Sequence, residues 1–154
     1  MNIQFHSSVI FVKGIEVSKQ FYCNILKQEI DTDFGNNITL KGGLSIWEIP
    51  EWHQLNQSFY QKGSVNKALE ICFETDNMDE IVDLIENQNI KKHHELTEES
   101  WGQKTIRVYD PGNNLVEVGE KFEVFLRRMH QNGLTLEEIN QKTGVPLELI
   151  KEYI

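Results

Sequence analysis

Hydrophobic positions in the first 50 residues follow two different periods, which predict several strands and one helix. The apolar run SSVIFV predicts a short strand. In the next stretch, KGIEVSKQFYCNIL, a stripe of Phe21, Tyr22, Ile25 and Leu26 predicts a helix with one apolar side. The stretches EIDTDFGNNITLKGG and LSIWEIP then predict extended structure, so this part of the chain has the order strand–helix–strand–strand–strand.

The second half of the chain repeats this order. ALEICFET predicts a strand, and DNMDEIVDLIENQ places Met78, Ile81, Val82 and Ile85 on one side of a helix. IKKHHEL, KTIRVYD and NLVEVGE then predict three strands, with His93 and His94 on a charged edge strand. We therefore predict a βαβββ module over residues 1–50, a polar linker over 51–66, a second βαβββ module over 67–120 and a tail over 121–154.

Aligning the two modules brings four polar positions into correspondence. When Val12 is aligned with Thr75, Glu70 falls on Ser7. The closing strands LSIWEIP and NLVEVGE align through Glu48 and Glu117. Because two-fold repetition brings equivalent positions towards one another, we hypothesise that these four side chains converge.

Strand alternation predicts which side chains share the cavity face with these four positions. Successive side chains of a strand point to opposite faces, and one face of each strand packs under a helix. Trp47 alternates with Glu48, so it is predicted to lie beneath the helix. The side chains predicted to pack are Ser8, Ile10, Val12, Leu69, Ile71, Phe73, Ile106 and Val108. Those predicted to face the cavity are Ser7, Val9, Phe11, Glu70, Cys72, Glu74, Thr105, Arg107 and Tyr109.

Two motifs resemble the vicinal oxygen chelate superfamily, which includes glyoxalase I, extradiol dioxygenases, and fosfomycin- and bleomycin-resistance proteins. The opening VKGIEVSKQFYCNILKQEI and the closing WGQKTIRVYDPGNNLVEVGE carry the resemblance, which covers about residues 5 to 120. It implies an α+β fold, in which two βαβββ modules form a cupped mixed sheet around a cleft, and it implies homodimerisation. It also implies a divalent metal at the converging positions, where Glu117 and Glu48 match metal-ligand glutamates.

The sequence departs from this family at two positions. The family usually has metal-ligand histidines where Ser7 and Glu70 stand, and His6 would need a strand bulge to reach the cavity face. Glutamate ligands suit a hard ion such as Mg or Mn, whereas Ni and Zn favour nitrogen ligands. Alternatively the site holds no metal, and Arg107, with Lys41 at a comparable position, balances the carboxylates.

Two function classes follow. The first, our primary prediction, is a glyoxalase- or dioxygenase-like enzyme of lyase or isomerase type, with Mg, Mn, Ni or Zn in the cleft polarising a substrate oxygen while a glutamate moves a proton. The second is a metal-free protein that binds or sequesters a small molecule, as bleomycin-resistance proteins do. The missing histidines favour the second, and the Glu48–Glu117 pair favours the first. The predicted catalytic residues are Glu70 and Glu117, the metal ligands are Ser7, Glu48, Glu70 and Glu117, and the substrate-binding residues are Phe11, Trp101, Arg107 and Tyr109.

Composition narrows the partners and the environment. The net charge of −9 disfavours nucleic acid and anionic membranes as partners. Cys23 and Cys72 are far apart in sequence and are predicted to be reduced core thiols. The start MNIQFHSSV has no signal-peptide pattern, and no apolar run is long enough for a membrane span, so we expect a cytoplasmic protein.

The sequence of residues 121–154 predicts helices, and its last part, GLTLEEINQKTGVPLELIKEYI, resembles half of a helix-turn-helix. Phe122, Phe125, Leu126 and Met129 form one apolar stripe, and Gly133 is a predicted C-terminal stop. Thr135 and Glu138 have the spacing of a capping box, and Pro146 suits the first turn of a last helix. The last helix lacks the basic residues of a DNA reader, so we expect a helical appendage that any small-molecule site can do without. The linker aromatics Trp52, Phe59 and Tyr60 are candidates for the cleft or a dimer contact.

Overall fold

The computed structural model describes residues 4–53, 56 and 66–154, with residues 66–68 described through their backbone alone. Two compact units make up the chain, one over Met1–Leu69 and Tyr109–Asn114, the other over Glu70–Val108 and Leu115–Ile154. The linker predicted at 51–66 lies largely outside the described residues, as do Phe59 and Tyr60.

The first sheet has the strand order β1-β4-β3-β2, in which only the β1–β4 pair is parallel. Its strands are β1 (Ser8–Val12), β2 (Ile30–Asp33), β3 (Asn37–Leu40) and β4 (Leu44–Glu48). Ile10 pairs with Ile46 across β1 and β4, and both are buried. The parallel pair is possible because helix α1 forms the crossover between β1 and the rest of the sheet.

Helix α1 covers Ile15–Lys19 and continues as a π-helical segment over Gln20–Ile25. All four members of its predicted apolar stripe are buried. The Tyr22 hydroxyl donates a hydrogen bond of 2.8 Å to Oδ2 of Asp110, which belongs to the same unit. Asp110 is itself buried and accepts a 2.8 Å hydrogen bond from the Asn114 N–H, so it holds the DPGNN turn.

The second sheet has the equivalent strand order β5-β8-β7-β6. Its elements are β5 (Asn66–Thr75), helix α2 (Met78–Asn87), β6 (Lys92–Glu98), β7 (Lys104–Tyr109) and β8 (Asn114–Glu120). Met78, Ile81 and Ile85 of α2 are buried, as the periodicity predicts. Asn77 caps this helix by accepting a hydrogen bond from the Glu80 N–H.

The tail forms three helices with a core of their own. They are α3 (Phe122–Gln131), α4 (Leu136–Thr143) and α5 (Leu147–Tyr153). Their buried side chains are Phe125, Leu126, Met129, Ile139, Val145 and Ile150. The predicted capping box of Thr135 and Glu138 is present at the start of α4. The predicted stop at Gly133 fits its φ of 95°, a left-handed conformation that glycine adopts without strain.

One buried ion pair joins this tail to the second sheet. Arg128 of α3 donates to both carboxylate oxygens of Glu120, at 2.9 Å and 2.7 Å, and to the Gly102 carbonyl oxygen at 2.7 Å. Gly102 has a φ of 94°, and a Cβ there would lie 1.8 Å from Cε of Met129. The loop at Trp101–Gly102 therefore requires glycine to accommodate α3.

These elements confirm the predicted fold class: an α+β protein with two βαβββ modules and a helical C-terminal segment. The predicted edge strand is also confirmed, since β6 lies at the edge of its sheet. Within the described residues, every helix is too short or too polar to cross a membrane.

Four residues are less buried than predicted. Cys72 is exposed and Cys23 is half-buried, so neither is a core thiol. Leu69 is 40% exposed and Ser8 is exposed, although both were predicted to pack. Cys72 and Leu69 lie on β5, an edge strand with a neighbour on one side only in this sheet, and Ser8 is the first residue of β1.

Candidate functional site

Arg107 of β7 lies at the centre of a cluster of three carboxylates on the second sheet. Its Nε donates to Oε1 of Glu70 at 2.6 Å, and its Nη1 donates to Oε1 of Glu99 at 2.7 Å. Its Nη2 donates to Oε2 of Glu117. Nη1 also lies 3.1 Å from Nε2 of His94. Each guanidinium nitrogen therefore has a different carboxylate partner, and we call these five residues the Arg107 cluster.

Strand alternation and strand order bring the Arg107 cluster together. Arg107 lies between the buried Ile106 and Val108, so its side chain emerges on the opposite face of β7. Glu117 emerges in the same way between the buried Val116 and Val118 of β8. The order β5-β8-β7-β6 places these two strands side by side, with the strand of Glu70 next to β8 and the strand of His94 next to β7.

The cluster has more negative than positive charge, which shifts its protonation equilibria. Burial raises the pKa of Glu117, and the charges of Glu70 and Glu99 add to this although Arg107 opposes it. By contrast, the hydrogen bond from Arg107 lowers the pKa of Glu99. Burial would lower the pKa of Arg107, but its bonds to Glu99 and Glu70 outweigh that effect and keep it positively charged. Glu117 therefore takes up a proton more readily than Glu99 does.

The predicted faces of Glu48 and Trp47 are wrong. In the β1–β4 register Glu48 pairs with Val12, which is buried on the helix side of the first sheet, and Trp47 pairs with Phe11. Oε2 of Glu48 accepts a 2.8 Å hydrogen bond from the Ile15 N–H and so caps α1. The ring centroids of Trp47 and Phe11 lie 5.9 Å apart, so Trp47 is on the face predicted for Glu48.

The predicted equivalence of Glu48 with Glu117 is wrong for the same reason. Glu48 ends β4 opposite Val12, which ends β1. The Lys121 N–H donates to the Thr75 carbonyl oxygen at 2.8 Å, which aligns Glu120, the end of β8, with the end of β5. Glu120 is therefore the counterpart of Glu48. Both accept a main-chain N–H, since Oε2 of Glu120 bonds the Lys104 N–H at 2.8 Å.

The remaining predicted site residues are placed as follows. Ser7 and Lys41 line a pocket of about 370 Å³ in the first unit, together with His6 and Asp31. Lys41 is exposed and pairs with Glu29 rather than with any predicted site glutamate. Phe11 and Tyr109 are half-buried, and Trp101 is 38% exposed with its indole N–H donating to Gln103. Convergence of Ser7 with Glu70 and Glu117 in a cleft stays a prediction, whereas Glu48 lies on the face of the buried Val12.

Sequence reasoning missed two members of the Arg107 cluster. Glu99 lies in the loop after β6, where alternation gives no direction for a side chain. His94 was assigned to a charged edge strand, and it does lie there, but it pairs in register with Arg107. His94 is half-buried, and its position next to Arg107 follows from the pairing of β6 with β7, which the sequence does not specify.

The metal implied by the resemblance does not fit the side chains around Glu70 and Glu117. Their carboxylates already bind a permanent cation, Arg107. Glu48, the other implied ligand, is engaged by the Ile15 N–H. Across residues 4–53, 56 and 66–154, no group of three or more His, Cys, Asp or Glu side chains is arranged to hold a metal ion.

The two repeated modules define a protein of the paired βαβββ class. The family described as Glyoxalase-like domain matches residues 5–123. The chain belongs to this glyoxalase-like family. No curated protein matches the chain.

Several solved structures share the fold. A protein of unknown function from Agrobacterium tumefaciens str. C58 is 28% identical, with a TM-score of 0.65, over 79% of this chain and 97% of that chain. A lactoylglutathione lyase from Agrobacterium tumefaciens is 22% identical, with a TM-score of 0.56, over 77% of this chain and 93% of that chain. The fosfomycin resistance protein FosX from Listeria monocytogenes, complexed with Mn(II) and sulfate, is 19% identical, with a TM-score of 0.58, over 84% of this chain and 100% of that chain.

Proposed function

We propose that this protein binds a small molecule carrying a basic group on the sheet face of the Arg107 cluster, and that it does so without a resident metal. The observation that carries this proposal is the charge imbalance of the cluster, in which three carboxylates share one guanidinium. The Glu70 side chain is 31% exposed, so part of this negative charge is open to a ligand. A protonated amine placed there would form charge-assisted hydrogen bonds with the carboxylates.

Glu117→Gln is expected to weaken such binding by about tenfold or more, since a hydrogen bond to a charged group contributes about 1.5–3 kcal/mol. The measurement is isothermal titration of the protein with metal-free bleomycin and, separately, with spermidine. The matched control is Glu74→Gln, which neutralises an exposed carboxylate on β5 that has no bond to Arg107.

Three outcomes are informative in this titration. Binding by wild type and by Glu74→Gln, with loss in Glu117→Gln, supports the proposal. Equal loss in both variants would show that overall charge and not the cluster attracts the ligand. If neither bleomycin nor spermidine binds wild type, the protein is not a receptor for basic ligands.

The second candidate function is a glyoxalase-like enzyme, and the raised pKa of Glu117 favours it. Burial and the neighbouring carboxylates raise this pKa above its usual value, so Glu117 takes up a proton more readily than an exposed glutamate does. In this reading Glu117 moves a proton next to a substrate carbonyl, and Arg107 orients it. The test is formation of S-lactoylglutathione from methylglyoxal and glutathione, followed by absorbance, in wild type and Glu117→Gln. Turnover that persists in Glu117→Gln would remove this role.

The homodimer implied by the family resemblance stays part of this proposal. The first unit exposes several large apolar side chains that a second copy would cover, among them Phe5, Phe34 and Trp52. Light scattering is expected to give a molar mass of twice the chain mass of 18.0 kDa. A monomeric mass at micromolar concentration would contradict the dimer.

A further inference from the structure

The guanidinium of Arg107 binds two of the carboxylates, those of Glu70 and Glu117, that the family resemblance implies as ligands of a divalent metal. Its three nitrogens each donate to a carboxylate on a separate element: Glu70 on β5, Glu99 in the loop after β6, and Glu117 on β8. Glu70 and Glu117 stand at positions where the family usually has metal ligands. The cation and the implied metal would therefore compete for the same oxygen atoms.

The chemistry of arginine explains how one side chain can satisfy this site. A guanidinium is planar, carries five N–H donors in fixed directions and stays charged at any physiological pH. It can therefore bond several carboxylates at once, as a metal ion does, whereas a lysine ammonium presents a compact point charge. The Arg107 side chain is only 20% exposed and Glu117 is 14% exposed, so these contacts are mostly shielded from water.

Binding of a metal ion to the carboxylates that already bind Arg107 is unfavourable for two reasons. A divalent ion bound to the same carboxylates would lie within a few ångström of a permanent positive charge, and like charges at that distance repel strongly when they are partly buried. The ion would also have to replace hydrogen bonds that the carboxylates already make with Arg107. Both effects favour the guanidinium over the ion.

We infer that Arg107 is a built-in counter-ion in place of the divalent metal that the family resemblance implies, and that only removal of its side chain makes Glu70, Glu99, Glu117 and His94 available to a metal ion. Carboxylate oxygens together with an imidazole nitrogen are ligands that suit Mn²⁺ and Zn²⁺. Removing the guanidinium leaves these four side chains facing the space that it filled. The inference rests on the metal-free part of the proposed function and deepens it, because it names the side chain that takes the place of the metal.

The experiment compares wild type, Arg107→Ala and Arg107→Lys by isothermal titration with Mn²⁺ and with Zn²⁺ alone, and by melting temperature with and without chelator. Wild type is expected to show no stoichiometric binding and no change of melting temperature. Arg107→Ala is expected to bind one ion at least about tenfold more tightly than wild type, a difference of about 1.4 kcal/mol. Its melting temperature should fall without metal, because three carboxylates then repel one another, and should rise when metal is added. Arg107→Lys keeps a positive charge and is expected to bind no ion.

Three outcomes would contradict the inference. Stoichiometric, chelator-sensitive metal in wild type would overturn the replacement of the metal, and this measurement needs no variant. An Arg107→Ala protein that is folded by circular dichroism but gains no metal binding would overturn the availability of the four side chains to a metal ion, as would one that fails to fold with and without Mn²⁺. Because the titrant is a metal ion, failure to bind bleomycin or spermidine leaves this inference intact. Metal binding by wild type would contradict both this inference and the metal-free part of the proposed function, whereas binding of a basic ligand is decided by its own titration.

Discussion

Arg128→Ala is expected to lower the free energy of unfolding by about 3 kcal/mol, because it leaves a buried carboxylate without its counter-ion. The Glu120 residue is only 4% exposed and accepts two hydrogen bonds from Arg128. The remaining bond from the Lys104 N–H and the partial exposure of Arg128, 22%, keep the loss at the lower end of the range for buried pairs. The measurement is reversible urea unfolding at pH 7.

Arg127→Ala is the matched control for this change. Arg127 is the adjacent residue, is exposed and donates to the Tyr153 carbonyl oxygen. Its replacement should change the free energy of unfolding by less than about 1 kcal/mol. In addition, Glu120→Gln combined with Arg128→Ala should destabilise less than the sum of the two changes, since Gln removes the unpaired charge. Equal losses in the two alanine variants would show that the Glu120–Arg128 pair does not hold the tail.

Changing the Glu120–Arg128 pair also tests whether the tail contributes to stability without contributing to ligand binding. Residues 121–154 were predicted to be dispensable for a small-molecule site, and that stays a prediction. The contacts of α3 with Glu120 and Gly102 show that the tail belongs to the second unit. Arg128→Ala is therefore expected to lose stability while keeping ligand affinity at a temperature where it remains folded.

At alkaline pH the stability advantage of wild type over Tyr22→Phe is expected to shrink by up to about 1.4 kcal/mol per pH unit. Burial and the charge of Asp110 raise the pKa of Tyr22 far above 10.0, its usual value. Above pH 10 the unfolded chain loses the phenolic proton while the folded protein keeps it, so the unfolded state binds fewer protons and stability falls as pH rises. Phenylalanine has no such proton, which removes this contribution.

The measurement is urea unfolding of both proteins at pH 8, 9, 10 and 11. At pH 8, Tyr22→Phe should be less stable by about 1–3 kcal/mol, because Asp110 loses a buried hydrogen-bond donor. Tyr153→Phe, a change outside the Asp110 pair, defines the effect of losing a hydroxyl elsewhere. Parallel stability curves for wild type and Tyr22→Phe over this pH range would contradict the predicted coupling.

The strands and helices followed from the sequence because their signal is local. An apolar stripe such as Met78, Ile81 and Ile85 predicts a helix through spacing alone, and this helix is present. The repeated order of elements then predicted two equivalent modules, and both sheets have that topology. Alternation also predicted correctly that Arg107 lies opposite the buried Ile106 and Val108.

The errors arose where alternation was extended from one strand to another. Alternation shows that Trp47 and Glu48 point to opposite faces, but it does not show which face is buried. That choice depends on the pairing of β4 with β1, where a shift of one residue reverses every side chain. Aligning the closing strands through Glu117 displaced the register by three residues, and any odd displacement reverses the faces. The hydrogen bond from Lys121 to Thr75 shows that Glu120 is the counterpart of Glu48.

Periodicity and alternation act over a few neighbouring residues, so they were sufficient to predict the class of fold and the strand positions of Glu70, Arg107 and Glu117. The folded protein was needed to see that these three side chains bind one another and that Glu99 and His94 join them. Those contacts depend on strand order, register and a loop conformation, which are set by interactions between residues far apart in the chain. For the same reason only the structure gave Glu48 its role at the start of α1, where a main-chain N–H and not a metal is its partner.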